Sequence, residues 1–201
     1  MAWVTSFMDG FDHYATADVG AKWDNTSMTS TTIDATTYRN SGQSLRVAAG
    51  ATGNFSKRLN LAASNIVFGC GVYLSSTPTV SAFDTTGDTL IGLGNYLSTG
   101  DGDGQFSLAI FNDGKIHVGR ARGFSATQAN APTSLGSGTA VLSSSTWYFI
   151  ECRVFIHATL GAIEVRVNGV VDINLTGINT KGATSSLVTA EYLQVRNVAG
   201  P

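Results

Sequence analysis

Between residues 147 and 157 the chain alternates. Tyr148, Ile150, Cys152, Val154 and Ile156 take one side, while Glu151, Arg153 and His157 share the other with Trp147, Phe149 and Phe155. Successive side chains of a strand point to opposite faces, so a period of two predicts a long strand. Ile163, Val165 and Val167 then alternate with Glu164 and Arg166, and Val171, Ile173 and Leu175 with Asp172 and Asn174. Between these runs stands Asn168-Gly169, a pair suited to the two positive φ values of a tight hairpin. The same grammar recurs at Phe106, Leu108 and Ile110, then Asn112-Asp113-Gly114, then Ile116 and Val118.

Shorter alternating runs predict further strands at 44–47, 55–59, 66–74, 89–93 and 192–195, with an opening strand at 3–7, making about ten to twelve in all. No window sustains a helical period. The connections at 75–87, 97–104 and 119–145, rich in Gly, Ser, Thr and Ala, read as surface loops. Many antiparallel strands without crossover helices must cover each other's apolar faces. The predicted fold is therefore an all-β, two-sheet antiparallel sandwich, one domain over residues 1–201 with no internal repeat.

Composition agrees with strands. Of 201 residues 13% are charged and 43% hydrophobic, and Glu occurs only at 151, 164 and 191, which leaves little to solubilise helix faces. A net charge of −2 gives no electrostatic reason to expect nucleic acid or an anionic membrane surface. No apolar run reaches the length of a membrane helix, and residues 1–14 lack a cationic start before an apolar core, so a soluble, unsecreted chain is expected. Cys70 and Cys152 lie in separate apolar strands, without zinc spacing, and read as buried free thiols rather than a bridge.

Three segments carry a resemblance. Phe7-Met8-Asp9-Gly10-Phe11-Asp12-His13-Tyr14, Ser41-Gly42-Gln43-Ser44-Leu45-Arg46, and the run from Thr146-Trp147-Tyr148 through Asn168-Gly169-Val170-Val171 resemble the concanavalin A-like, LamG-type jelly rolls of tailed-bacteriophage virion proteins. What this implies is a two-sheet jelly roll of the concanavalin A-like lectin/glucanase type, carried on a phage head or tail.

Catalytic patterns are sparse. The superfamily's glycoside hydrolases resemble one another in a Glu-x-Asp-x-Glu or Glu-x-Asp-x-x-Glu strand, and nothing here matches it; Glu151 and Glu164 read as outward solubilising charges. Gly-x-Ser-x-Gly, His-Glu-x-x-His and phosphate-loop patterns are missing too. Asp101 and Asp103 in Gly100-Asp101-Gly102-Asp103-Gly104 could approach a hard cation but lack the rest of an EF-hand, and read as a turn. His13, His117 and His157 are scattered over three strand or strand-edge segments. The aromatics, Trp3, Phe7, Phe11 and Tyr14 and then Trp147, Phe149 and Phe155, read as core packing, with an exposed stripe for sugar or protein as the alternative. Asn25, Asn54 and Asn174 begin Asn-x-Ser/Thr triplets without evident purpose.

The reading that results is a non-enzymatic virion protein with no catalytic, cofactor-binding or metal residue and no cofactor. Its expected place is the capsid surface, after synthesis in a bacterial cytoplasm. There it would decorate and stabilise the lattice of the major capsid protein, as a homo-oligomer, without nucleic acid or membrane. The alternatives are a tail or tail-fibre component and a carbohydrate-binding receptor module.

Overall fold

The computed structural model describes residues 15–27, 31–39, 42–47, 54–83, 90–95, 103–120, 132–182, 185 and 187–196. The proposed strand at 3–7, the aromatics before residue 15, His13 and Asp101 lie outside them. The described strands are β1 (Asn25–Ser27), β2 (Thr31–Asp34), β3 (Ser44–Val47), β4 (Asn54–Ala63), β5 (Asn65–Tyr73), β6 (Ile91–Asn95), β7 (Asp103–Ile110), β8 (Lys115–Arg120), β9 (Thr133–Val141), β10 (Trp147–Phe155), β11 (Gly161–Val167), β12 (Val170–Ile178) and β13 (Ala190–Arg196). A turn of 3-10 helix, Thr16–Asp18, leads into a four-residue helix, Val19–Lys22.

Seven strands form one sheet in the order β1-β4-β13-β6-β7-β8-β9, four form another in the order β12-β11-β10-β5, and β2 and β3 make a small separate hairpin. Every pairing is antiparallel. The chain passes from the large sheet to the small one at β5, returns at β6, crosses again at β10 and closes at β13, which is inserted between β4 and β6. This is the all-β, two-sheet jelly-roll sandwich that the alternation predicts.

Packing explains why these segments are strands. The inward set of β10 and its continuation, Ile150, Cys152, Val154 and Ile156, is at most 1% exposed, and Ile163 and Val165 of β11 are fully buried. Against them lie Ile91 and Leu93 of β6, Phe106, Leu108 and Ile110 of β7, and Ile116 and Val118 of β8, in one apolar cluster. At about 1.5–3 kcal/mol for each large apolar side chain removed from water, this row outweighs local propensity. Beside β4 and β13 a second cluster, Val19, Trp23 and Phe55 with Ile33, Leu45 and Val195, seats the short helix and the β2–β3 hairpin. The Asn168-Gly169 turn has φ of 50° and 83°, the two positive values expected, and Gly114 ends the β7–β8 turn at φ 72°.

Three expectations need correcting. The stretch 119–145, read as a loop, contains β9, whose Gly136 and Gly138 break the alternating pattern. Gly138 is required by packing: a Cβ there would fall inside the carboxylate of Asp172 on β12. Asp172 sits at a bulge where β11 and β12 shift register, and its Oδ1 accepts the N–H groups of Thr139 and Ala140 at 2.8 Å each. It thus ties the edge of one sheet to the edge of the other. Secondly, β1 and β2 lie in polar stretches where no alternation was visible, which takes the described strands beyond the predicted number. Thirdly, Asp103 and Gly104 open β7 rather than closing a loop.

Candidate functional site

The seven-stranded sheet has a second face. Phe55, Val195, Ile91, Leu108 and Val118 are cross-strand partners that point inward, so the residues next to them point away from the core. One row of that outward face runs Ser56, Gln194, Gly92, Ser107, Gly119 from β4 to β8. None carries a large apolar side chain, and Ser56, Ser107 and Gln194 are each under 9% exposed. The next row places Arg58 opposite Tyr192, and Tyr192 opposite Gly94. Arg58 also meets Glu191 at 3.7 Å.

Two walls of this face are described. Gln105, fully buried, accepts the N–H of Gly182 at 2.8 Å and donates to Ser185 Oγ at 2.7 Å and to the Leu187 carbonyl at 3.2 Å, which fastens the segment after β12 to the start of β7. At the other end the Phe83 ring lies over Gly119 and meets Phe111 edge-on at 5.0 Å, and Phe111 stacks on His117 at 4.1 Å. Between the walls lie amide, hydroxyl, phenol and guanidinium groups around Gly92 and Gly94, both buried. Such a floor offers a polar ligand donors and acceptors.

The small sheet's outer face is different. Trp147, Phe149 and Phe155 stand on it half-buried, so the core-packing expectation for these rings is corrected: the inward side of β10 is already filled by Ile150, Cys152 and Val154. Glu151 and Glu164 also point outward, as expected, opposite Arg166 and Arg153 respectively. Arg166 Nε donates to Glu164 Oε1 at 2.7 Å, and that bond raises the guanidinium's pKa.

The other sequence candidates are occupied structurally. Asp113 accepts the Lys115 N–H at 2.9 Å and meets His117 Nε2 at 3.2 Å. His157 Nδ1 accepts the N–H groups of Thr159 and Leu160, capping a turn. Cys70 and Cys152 are free thiols on adjacent strands; burial pushes Cys70 up to about 12 and Cys152 well upward. Among the described residues no three His, Cys, Asp or Glu side chains gather where they could hold a metal. Nor is any described helix long and apolar enough to cross a membrane.

The polar outward face was missed because the pattern was scored only for its apolar positions. Gln105, Ser107, Tyr192 and Gln194 were visible as the intervening residues of two alternating runs. What brings them together is strand order, with β13 inserted between β4 and β6, and no local pattern encodes that.

Sandwich, topology and twin faces define a jelly roll of the concanavalin A-like type. Among solved structures, the chain is similar to an endo-β-1,4-glucuronan lyase from the fungus Trichoderma reesei, with TM-score 0.60, 11% identity, and coverage of 87% of this chain and 78% of that one. It is also similar to the alginate lyase Aly36B, with TM-score 0.56, 12% identity, and coverage of 94% and 82%. A carbohydrate esterase from the Shiga toxin-encoding bacteriophage phi24B superposes at TM-score 0.49, with 14% identity and coverage of 91% and 86%. No family model matches the chain, and no curated protein does. The expectation that the chain is no enzyme is therefore withdrawn. The fold is shared with two polysaccharide lyases, and a missing Glu-x-Asp-x-Glu strand removes one catalytic chemistry rather than catalysis as such.

Proposed function

We propose that the protein recognises an acidic polysaccharide on the outward face of its seven-stranded sheet, as a component of a bacteriophage particle. The observation that carries this reading is the floor made by Ser56, Gln194, Gly92, Gly94, Ser107 and Tyr192, flanked by Arg58. Hydroxyls and amides suit the hydroxyls of a sugar, and a guanidinium suits a carboxylate. Support comes from the fold, which it shares with proteins acting on glucuronan and alginate. The phage setting rests on the sequence resemblance, and attachment to the major capsid protein is proposed as one location, a tail position as the other. Copy number in purified particles separates them: hundreds for the head, about a dozen for the tail.

A second reading is favoured by the direct opposition of Arg58 and Tyr192 across β4 and β13. A uronate loses its C5 proton more readily once its carboxylate is neutralised, and a tyrosine in its phenolate form can take that proton and, as the phenol so formed, give it to the departing glycosidic oxygen. The products would be a shortened chain and an unsaturated end. Titration with alginate and glucuronan oligosaccharides tests binding, and ultraviolet absorbance of the new double bond tests cleavage. Binding without absorbance leaves the first reading alone; neither would remove both.

A further inference from the structure

We propose a second saccharide site, on the opposite side of the molecule, centred on Trp147 and taking a sugar that carries a carboxylate or sulfate. It lies on the outer face of the four-stranded sheet and does not depend on the reading of the polar face.

The neighbouring edge strand β5 has no side chain where the rings of β10 need space. Gly71 is paired with Phe149, and Gly69 with Glu151. A Cβ on Gly71 would touch Trp147 Cζ3 at 3.5 Å and Cε3 at 3.6 Å, and one on Gly69 would touch Phe149 Cζ at 3.2 Å. Both rings therefore lean over β5 and lie along the sheet instead of standing up from it. Tyr73, opposite Trp147, brings its ring to 5.4 Å. Rings laid on a strand protect the backbone of bare glycines, which accounts for two rings beside two glycines. It does not account for the charges around them.

Arg39 crosses from the segment between β2 and β3. Its guanidinium sits 5.0 Å over the Phe149 ring, and its Cδ, like Trp147 Cζ3, lies 3.5 Å from where a Cβ on Gly71 would stand. Among the described residues, no carboxylate pairs with Arg39. Arg153 also points outward, opposite Glu164, which Arg166 engages. Arg39 is thus the guanidinium left over beside a half-exposed aromatic row, since Arg153 and Arg166 are matched by Glu151 and Glu164 on the same face. A pyranose stacked on Trp147 places its substituents towards Arg39, whereas Arg153, six residues further along β10 and so roughly 20 Å away, lies beyond its reach. An anionic group beside Arg39 gains a charge-assisted hydrogen bond that a neutral sugar cannot supply.

The test is calorimetric titration of the whole chain with alginate oligosaccharides and, in parallel, with neutral cello-oligosaccharides. Four proteins are compared: wild type, Trp147→Ala, Arg39→Glu, and the polar-face pair Tyr192→Phe/Gln194→Ala. The inference predicts that the polar-face variant keeps one alginate site. Trp147→Ala and Arg39→Glu should each weaken that site on the order of tenfold, and cello-oligosaccharide should be unaffected by Arg39→Glu. Both single substitutions are at outward positions, and thermal melting reports whether each variant is folded. If the polar-face variant binds nothing, the second site is refuted while the first reading stands. If only Trp147→Ala and Arg39→Glu lose binding, the first reading fails and this one stands. Wild-type titration curves from both outward variants would overturn the inference.

Discussion

At the scale of single residues, burial decides what each side chain can do. Ile150 and Val165 are fully buried on the inward face of the four-stranded sheet, so replacing either by alanine removes transfer energy and leaves a cavity. Each should lower stability by about 2–4 kcal/mol in denaturant titration. Glu164→Gln, at an outward and solvated position, should cost at most about 1 kcal/mol. The thiols give a sharper residue-level expectation. Cys70, pushed up to about 12 by desolvation, and Cys152, pushed well up from its ordinary value by burial, hold almost no thiolate at neutral pH. A thiol reagent should therefore leave the native protein unmodified and label both cysteines once denaturant unfolds it. Rapid labelling of either in the native state would contradict the packing described.

At the scale of elements, much of the sandwich is legible in the sequence and its polar edges are not. The strands β10, β11 and β12 and the Asn168-Gly169 turn announce themselves because one face is wholly apolar and the turn has a steric requirement that few residues meet. The strand β9 is hidden because its inward positions, Gly136 and Gly138, are small where β12 sends Leu175 and Asp172 against them. Its pairing depends on a carboxylate thirty-odd residues away. Asp172→Ala should consequently loosen β9, costing about 1–3 kcal/mol and speeding hydrogen exchange at Thr139 and Ala140. Unchanged exchange there would show that β9 holds without the carboxylate. The β7–β8 turn responds to acid. Burial pushes the Asp113 carboxyl up, but the Lys115 N–H and the His117 ring outweigh it and hold the group below its ordinary 3.8. Its contribution is present above the unfolded value and lost as pH falls through the lower folded one. The melting-temperature difference between wild type and Asp113→Asn should be largest near neutrality and shrink in acid.

At the scale of the whole molecule, the sandwich separates its tasks by face. The two inner faces supply the stability, the outward face of the large sheet gathers Arg58, Tyr192, Gln194 and Ser107, and the outward face of the small sheet carries rings and guanidiniums. Neither outward face could be assembled from local pattern, since each depends on which strands become neighbours. The proposed ligand class rests on the polar floor of the large sheet, while the likeness to two polysaccharide lyases is one of fold. The most direct measurement is titration of the intact chain with alginate and glucuronan oligosaccharides, alongside Tyr192→Phe/Gln194→Ala and Arg58→Ala. The account predicts saturable binding by the wild type, weakened on the order of tenfold or more by the polar-face changes, with melting temperatures little altered. Absence of binding to any acidic oligosaccharide, or binding that ignores all three substitutions, would contradict it.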